Sequence, residues 1–212
     1  MTDQKRADSL TETELRALSS HGAVKSFQRH TVIVSEGDET DSLYVILSGR
    51  VKVFVADELG KEVVLGTQGP GEYFGEMVLD GGPRSASVMT LEASRFVVIP
   101  LRKVREFLRD QPDFSIRLIE KLIRRIRSLT ASVKNLALMD VYGRVARLLL
   151  ELAEDDGGTL VVREKLTQQD IASRVGASRE MVSKILNDLA TGGYLSIAKK
   201  RITIHKVPPR HW

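Results

Sequence analysis

Between Asp113 and Met139 the chain runs for 27 residues without a glycine or a proline, and no other stretch limits the available folds so strongly. Within it Ile119, Leu122, Ile126, Leu129, Val133 and Leu136 recur at alternating spacings of three and four, with Arg and Lys crowding the other faces. That is the heptad seam of a single long helix. A seam of nearly three heptads pairs with another helix, most simply its own copy in a dimer, or else packs on the rest of its own chain. The helix, at 111–139, divides the 212 residues into a first part, 1–110, and a last part, 140–212.

The two flanking parts differ in pattern. After a short polar helix at about residues 11–20, the segment 24–100 is a series of short β-branched runs: TVIVSEGD, SLYVILSGRVKVFVAD, KEVVLGTQGPGEYFGEM and SASVMTLEASRFVVIP. Gly and Asp turns punctuate them at the spacing of an antiparallel barrel or sandwich, and DELGKE, residues 57–62, reads as a hairpin turn. Helical periodicity begins at Arg102. Beyond the long helix, Asp140 marks a hinge, and VYGRVARLLLELAE is an amphipathic helix closed by DDGG. The fold class is therefore α+β, with an antiparallel β-roll or jelly-roll, a long helix and a small C-terminal domain.

That C-terminal domain contains TQQDIASRVGASREMVSKILNDLA, residues 167–190. Ala172 is small where two helices would cross, Gly176 supplies a turn, and Ile171, Val175, Val182, Ile185 and Leu189 share an inward face. Thr167 and Ser178 stand at N-cap positions. Several independent constraints thus coincide on a helix-turn-helix. The outward face of its second helix shows Arg179, Glu180, Ser183, Lys184 and Asn187. Arginine can reach O6 and N7 of guanine, and a carboxylate can accept from the cytosine amine. A carboxylate repels phosphate, so Glu180 makes sense there as a base reader. YLSIAKKRITIHK then reads as a β-hairpin wing whose tip, Lys199, Lys200 and Arg201, would lie on a nucleic-acid backbone. Charge agrees with this placement. Residues 1–140 carry 20 basic and 20 acidic side chains, whereas from Arg174 onward there are 8 basic and 2 acidic. The formal excess of +4 lies in the last third.

Other classes are disfavoured. The absence of cysteine excludes disulfides, thiolate zinc sites and cysteine-held iron–sulfur clusters. His21, His30, His205 and His211 are scattered, with neither a metal-ligand spacing nor a nucleophile elbow, so no catalytic or metal site is expected. No apolar run approaches the roughly 20 residues needed to cross a bilayer, and MTDQKRADSLTETELRAL lacks a signal-like apolar core. A cytoplasmic chain with no membrane partner and no prosthetic group is expected.

One stretch remains, FGEMVLDGGPRSASV at 74–88. A buried phosphate calls for a forked cation and nearby donors, and a sugar hydroxyl calls for a carboxylate. The stretch supplies both. With NLALMDVYGRVARLLL at 135–150 and SREMVSKIL at 178–186, it gives the chain a resemblance to the Crp-Fnr family of bacterial transcription regulators, over essentially its whole length. The resemblance implies a sensor β-roll, a dimerisation helix spanning 113–139 and a winged helix-turn-helix that binds double-stranded DNA at a palindromic operator. It also implies a cyclic nucleotide as effector and RNA polymerase as a partner. Carried over residue by residue, Gly75 admits close backbone approach and Glu76 accepts from the ribose 2′-hydroxyl. Arg84 pairs with the cyclic phosphate, and Ser85 donates to a phosphate oxygen.

Two departures matter. Where cyclic-AMP-responsive members place two hydroxyl residues against the adenine, this chain has Leu129 and Thr130. Thr130 is the remaining candidate base contact, and cyclic di-GMP and cyclic GMP stand as alternatives to cyclic AMP, as does a regulator that binds no nucleotide. Lys184 occupies a position where the best-known members have arginine. It lacks the planar fork, and so implies relaxed preference at one base of a TGTGA-like half-site.

Overall fold

A computed structural model describes residues 9–198 and 201–208. The chain forms two compact units. One takes the chain up to Asp57 together with Val64–Ile126, and the other takes Glu58–Val63 together with the chain from Arg127 onward.

In the first unit, strands β1 (Ala23–Phe27), β3 (Ser42–Ser48), β6 (Tyr73–Phe74) and β8 (Ser94–Pro100) form one antiparallel sheet in the order β1-β8-β3-β6. Strands β2 (Val32–Val34), β4 (Val51–Ala56), β5 (Glu62–Gln68) and β7 (Ser87–Thr90) form a second, in the order β2-β7-β4-β5. Between the sheets lie Ile46, Phe74 and Phe96 from the first and Val34, Val51 and Val88 from the second. Strand alternation sends the neighbouring residues the other way. Leu43, Val45, Tyr73, Val97 and Ile99 leave the roll and are covered by helices. The first sheet is thus buried on both faces, which is why SLYVILS and SRFVVIP are nearly continuous apolar runs.

The covering helices are α1 (Glu12–Ser19), α2 (Leu101–Asp110) and α3 (Pro112–Leu138). Helix α1 starts at Thr11, whose hydroxyl accepts from the Glu14 amide while Glu14 returns a carboxylate to the Thr11 amide, a capping box. Leu18 of α1, Val104 and Phe107 of α2, and Phe114 and Leu118 of α3 complete this core.

Helix α3 carries the expected 27-residue run almost residue for residue. Its apolar seam, however, needs one correction. Leu122 follows Phe114 and Leu118 at intervals of four and packs, half-buried, against the same core. Ile123, absent from the seam read in the sequence, is exposed with Ile116, Ile119 and Ile126. Beyond them Leu129, Val133 and Leu136 continue the exposed apolar face. Heptad spacing assigned Leu122 outward because 122 and 123 differ by only one helical step. The packing against that core decides between them.

In the second unit, α4 (Val141–Leu152) begins at Asp140, whose carboxylate accepts from the Gly143 amide at 2.7 Å. The sequence pattern extended this helix to Glu154. Instead Ala153–Asp155 form a strand, β9, paired antiparallel with β10 (Leu160–Val162) in the register Ala153↔Val162. The DDGG segment is therefore a hairpin turn, with the Gly158 amide donating to Asp155. Strands β11 (Leu195–Ala198) and β12 (Arg201–Ile204) extend the sheet in the order β11-β12-β10-β9. Helices α5 (Gln168–Val175) and α6 (Arg179–Thr191) pack with α4 over one core that includes Leu149, Ile171, Ala172, Val182, Leu189 and Ile202.

Candidate functional site

The stretch FGEMVLDGGPRSASV leaves the roll at β6. Phe74 is anchored in the interior, and Gly75 then takes the left-handed conformation, φ 86° and ψ 13°. Two constraints require glycine here. Besides that φ, a Cβ would stand 2.5 Å from Nη1 of Arg84 and 2.9 Å from the Ser42 carbonyl oxygen. A single 3₁₀ segment, Glu76–Asp80, follows and ends at a second left-handed glycine, Gly81. The chain then returns through Pro83 to Arg84.

Arg84 is the centre of the turn. It is only 5% exposed, and its main chain is tied on both sides to the loop 35–41. The Arg84 amide donates to the Asp38 carbonyl at 2.9 Å, and the Gly37 amide donates to the Arg84 carbonyl at 2.8 Å. Its guanidinium donates from Nε to Thr40 Oγ1 at 2.6 Å, from Nη1 to the Gly75 carbonyl at 3.2 Å and from Nη2 to the Ser42 carbonyl at 2.7 Å. These bonds aim the fork and use three of its five N–H groups. Burial pushes the guanidinium below its ordinary pKa, against the opposing pull of Tyr44, Glu76, Asp38 and Asp41. The Tyr44 ring, stacked on Phe74, lies 5.7 Å from its Cζ. A desolvated, rigidly held cation with donors to spare is the arrangement that a phosphate group satisfies.

The other candidates lie nearby. Glu76 is half-buried at the first position of the 3₁₀ segment and close enough to Arg84 to act on it electrostatically. Ser85 is exposed, and its hydroxyl donates to the Met77 thioether at 3.0 Å. The turn thus brings Gly75, Glu76, Arg84 and Ser85 together. Thr130 is exposed on α3 and belongs to the second unit. Sequence reasoning missed Thr40, Ser42, Tyr44 and Met77. Only the acidic, hydroxyl-rich loop SEGDETDS signalled that something polar must be fixed beside β3.

In the second unit Thr167 caps α5 through a reciprocal box with Asp170, its hydroxyl donating to that carboxylate at 2.6 Å. Gly176 ends the helix in the left-handed region, φ 65°, and the Ser178 hydroxyl accepts from the Met181 amide at the start of α6. Ile171, Val175, Val182, Ile185 and Leu189 are buried, as the pattern requires. Arg179, Glu180, Lys184 and Asn187 are exposed, and Ser183 is half-buried, on α6. Two basic residues of this region already have acidic partners. Arg174 makes a forked pair with Glu164 at 2.6 and 3.0 Å, and Arg201 meets Asp156 at 2.6 Å. Arg201 would have to exchange an exposed ion pair, worth little in itself, to reach a phosphate. Lys199 and Lys200 lie outside the described residues.

Comparison with known proteins locates both halves. Residues 24–111 match the family model of the cyclic nucleotide-binding domain, and residues 143–208 match that of the Crp-like helix-turn-helix domain. The CRP-like cAMP-activated global transcriptional regulator of Mycobacterium tuberculosis is 37% identical over 195 residues, covering 90% of this chain and 87% of that protein. The cAMP-activated global transcriptional regulator CRP of Salmonella typhimurium is 33% identical over 204 residues, covering 92% and 95%. Among solved structures, the c-di-GMP responsive global regulator CLP of Xanthomonas campestris superposes with a TM-score of 0.79 at 25% identity, covering 90% of this chain and 97% of that one.

Proposed function

Because the chain belongs to the Crp-Fnr family of transcription regulators, we propose that it is a homodimeric switch whose DNA binding is gated by a cyclic nucleotide, with cyclic AMP as first candidate. The observation that carries this reading is Arg84, buried, charged and braced by three bonds with N–H groups left for an anion. Its fork would take the cyclic phosphate. Ser85 would turn its hydroxyl from the weakly accepting Met77 sulfur to a phosphate oxygen. Glu76 would accept from the ribose 2′-hydroxyl, Gly75 would let the backbone approach closely, and Thr130 would contact the base. Gly75 and Arg84 are already in place, so little ordering remains to oppose binding.

Two copies pair along the exposed face of α3, each presenting one α6. Arg179, Glu180, Ser183 and Lys184 would read base edges in the major groove, and Thr167, Ser178, Lys199, Lys200 and Arg201 would serve the backbone. Half-sites of a palindromic operator would then lie about 34 Å apart, one helical turn. Ligand acts by favouring the DNA-competent arrangement of a pre-existing equilibrium. RNA polymerase is the partner through which the bound dimer would act on transcription.

Cyclic di-GMP is the second reading. It is favoured by Leu129 standing where a hydroxyl would meet adenine, and by the c-di-GMP responsiveness of the Xanthomonas relative. Calorimetric titration with cyclic AMP, cyclic GMP and cyclic di-GMP, followed by DNA binding with and without each, tests both. Saturable binding of cyclic AMP that raises specific DNA affinity is the expected result. A response to cyclic di-GMP alone would transfer the proposal to the second reading, and no response to any would sink both.

A further inference from the structure

Lysine is almost never buried without a reason, yet Lys121, in the first half of α3, is only 8% exposed. Its surroundings supply the reason. Strand β6 is the edge of its sheet. The Glu72 carbonyl, just before β6, faces the neighbouring strand β3 and accepts from the Ile46 amide at 2.9 Å. Carbonyls alternate along a strand, so the next one, that of Tyr73, faces away from β3, where the sheet has no further strand among the described residues. A buried carbonyl needs a donor. Lys121 Nζ provides it at 2.9 Å, and the same ammonium lies 3.4 Å from the centre of the Tyr73 ring. The helix therefore stands in for a missing strand at one peptide group. Phe114 packs against the Tyr73 ring from one side, and Arg117 of α3 pairs with Glu14 of α1 beside it.

The position of that peptide group is what gives the contact its consequence. Two residues beyond Tyr73 comes Gly75, whose carbonyl accepts from Nη1 of Arg84. A displacement of α3 at Lys121 must move the Tyr73 carbonyl or break its bond. A displacement of Tyr73 moves the peptide that aims the Arg84 fork. We propose that Lys121 is a positioning residue through which α3 holds the strand that opens the phosphate turn, so that occupancy at Arg84 and the placement of α3 are one event. The inference rests on the reading of Gly75–Ser85 as a nucleotide site, and it names the physical link by which that site is felt outside the β-roll.

The test uses the full-length dimer, cyclic AMP as ligand and a palindromic DNA duplex in anisotropy measurements. Lys121→Met keeps the apolar stem and removes the donor and the charge. It should leave DNA affinity without ligand unchanged and cut the ligand-induced gain about tenfold, within the usual range of coupling between sites. Lys121→Arg, which keeps a donor, should recover most of that gain. An unchanged gain in a Lys121→Met protein that merely melts at lower temperature would assign the lysine a structural role and overturn the proposal. Should Lys121→Met fail to fold, the side-chain ammonium resonance of Lys121 in the wild-type protein decides. A shift on saturation with cyclic AMP supports the link, and an unmoved signal refutes it. If the wild-type protein itself ignores cyclic AMP, cyclic GMP and cyclic di-GMP in calorimetry, the nucleotide reading falls and takes this inference with it, an outcome distinct from a loss confined to the variant.

Discussion

Arg84 and Gly75 need one another. The guanidinium occupies the space that any side chain at residue 75 would require, and the carbonyl of residue 75 accepts one of its bonds. Gly75→Ala should therefore cost about 1–3 kcal/mol of stability through its left-handed backbone. It should also displace Arg84, so ligand affinity falls along with the melting temperature in thermal denaturation. Arg84→Ala separates the two effects. The turn keeps its backbone bonds to Asp38 and Gly37, and the variant should fold as a dimer. Loss of a forked, charge-assisted pair worth roughly 3 kcal/mol predicts ligand affinity about 100-fold weaker in calorimetry. Equal affinity in wild type and variant would remove Arg84 from the phosphate role. That Gly75, Glu76, Arg84 and Ser85 share one turn was legible in the sequence because they lie close together in the chain. Its braces, Thr40 and the Ser42 carbonyl, were not, since they come from a segment more than 40 residues away in sequence.

Helix α3 serves two faces at once. Phe114, Leu118, Lys121 and Leu122 turn toward the β-roll, and Ile116, Ile119, Ile123 and Ile126 turn outward. A run of exposed isoleucines at spacings of three, four and three is too apolar to be left to water, and we propose that a second copy of the helix covers it. The assignment of Leu122 and Ile123 to opposite faces can be checked directly. Ile123→Glu should convert dimer to monomer in analytical ultracentrifugation while the monomer stays folded. Leu122→Ala should leave the dimer intact and destabilise the first unit by about 2 kcal/mol, toward the low end for a truncated leucine because the site is half-buried. The reverse pattern would restore the seam as the heptad spacing alone suggests it. Helix ends were more legible than helix faces. Thr167 and Ser178 cap where the pattern placed them, and Asp140, read as a hinge, also caps, since an orphan amide at a helix start is a local problem with a local remedy. The premature end of α4 at Leu152 was not legible, because β9 exists only through its pairing with β10.

At the scale of the whole chain, charge and reading surface coincide in the second unit, and its DNA affinity should carry two separable parts. Backbone contacts by lysine and arginine make binding fall with salt, whereas base contacts set sequence preference. Arg179→Ala should cost about 1–3 kcal/mol of discrimination between operator and random duplex and leave the salt dependence nearly unchanged, as competition anisotropy at several salt concentrations would measure. Equal weakening on both duplexes would make Arg179 a backbone contact instead. The sequence by itself determined most of the elements and their order, the caps and turn glycine of the helix-turn-helix, and the residue types gathered at both candidate sites. Each of these follows from short-range rules of period, capping and backbone freedom. Only the tertiary structure decided which of two adjacent residues of α3 faces the core, that Arg201 meets Asp156, that Arg84 is braced by Thr40 and Ser42, and that Lys121 closes the sheet edge at Tyr73. Each of these is a pairing between side chains or peptide groups distant in sequence, or a choice made by one. Periodicity says which way a residue points, and only packing says what it meets there.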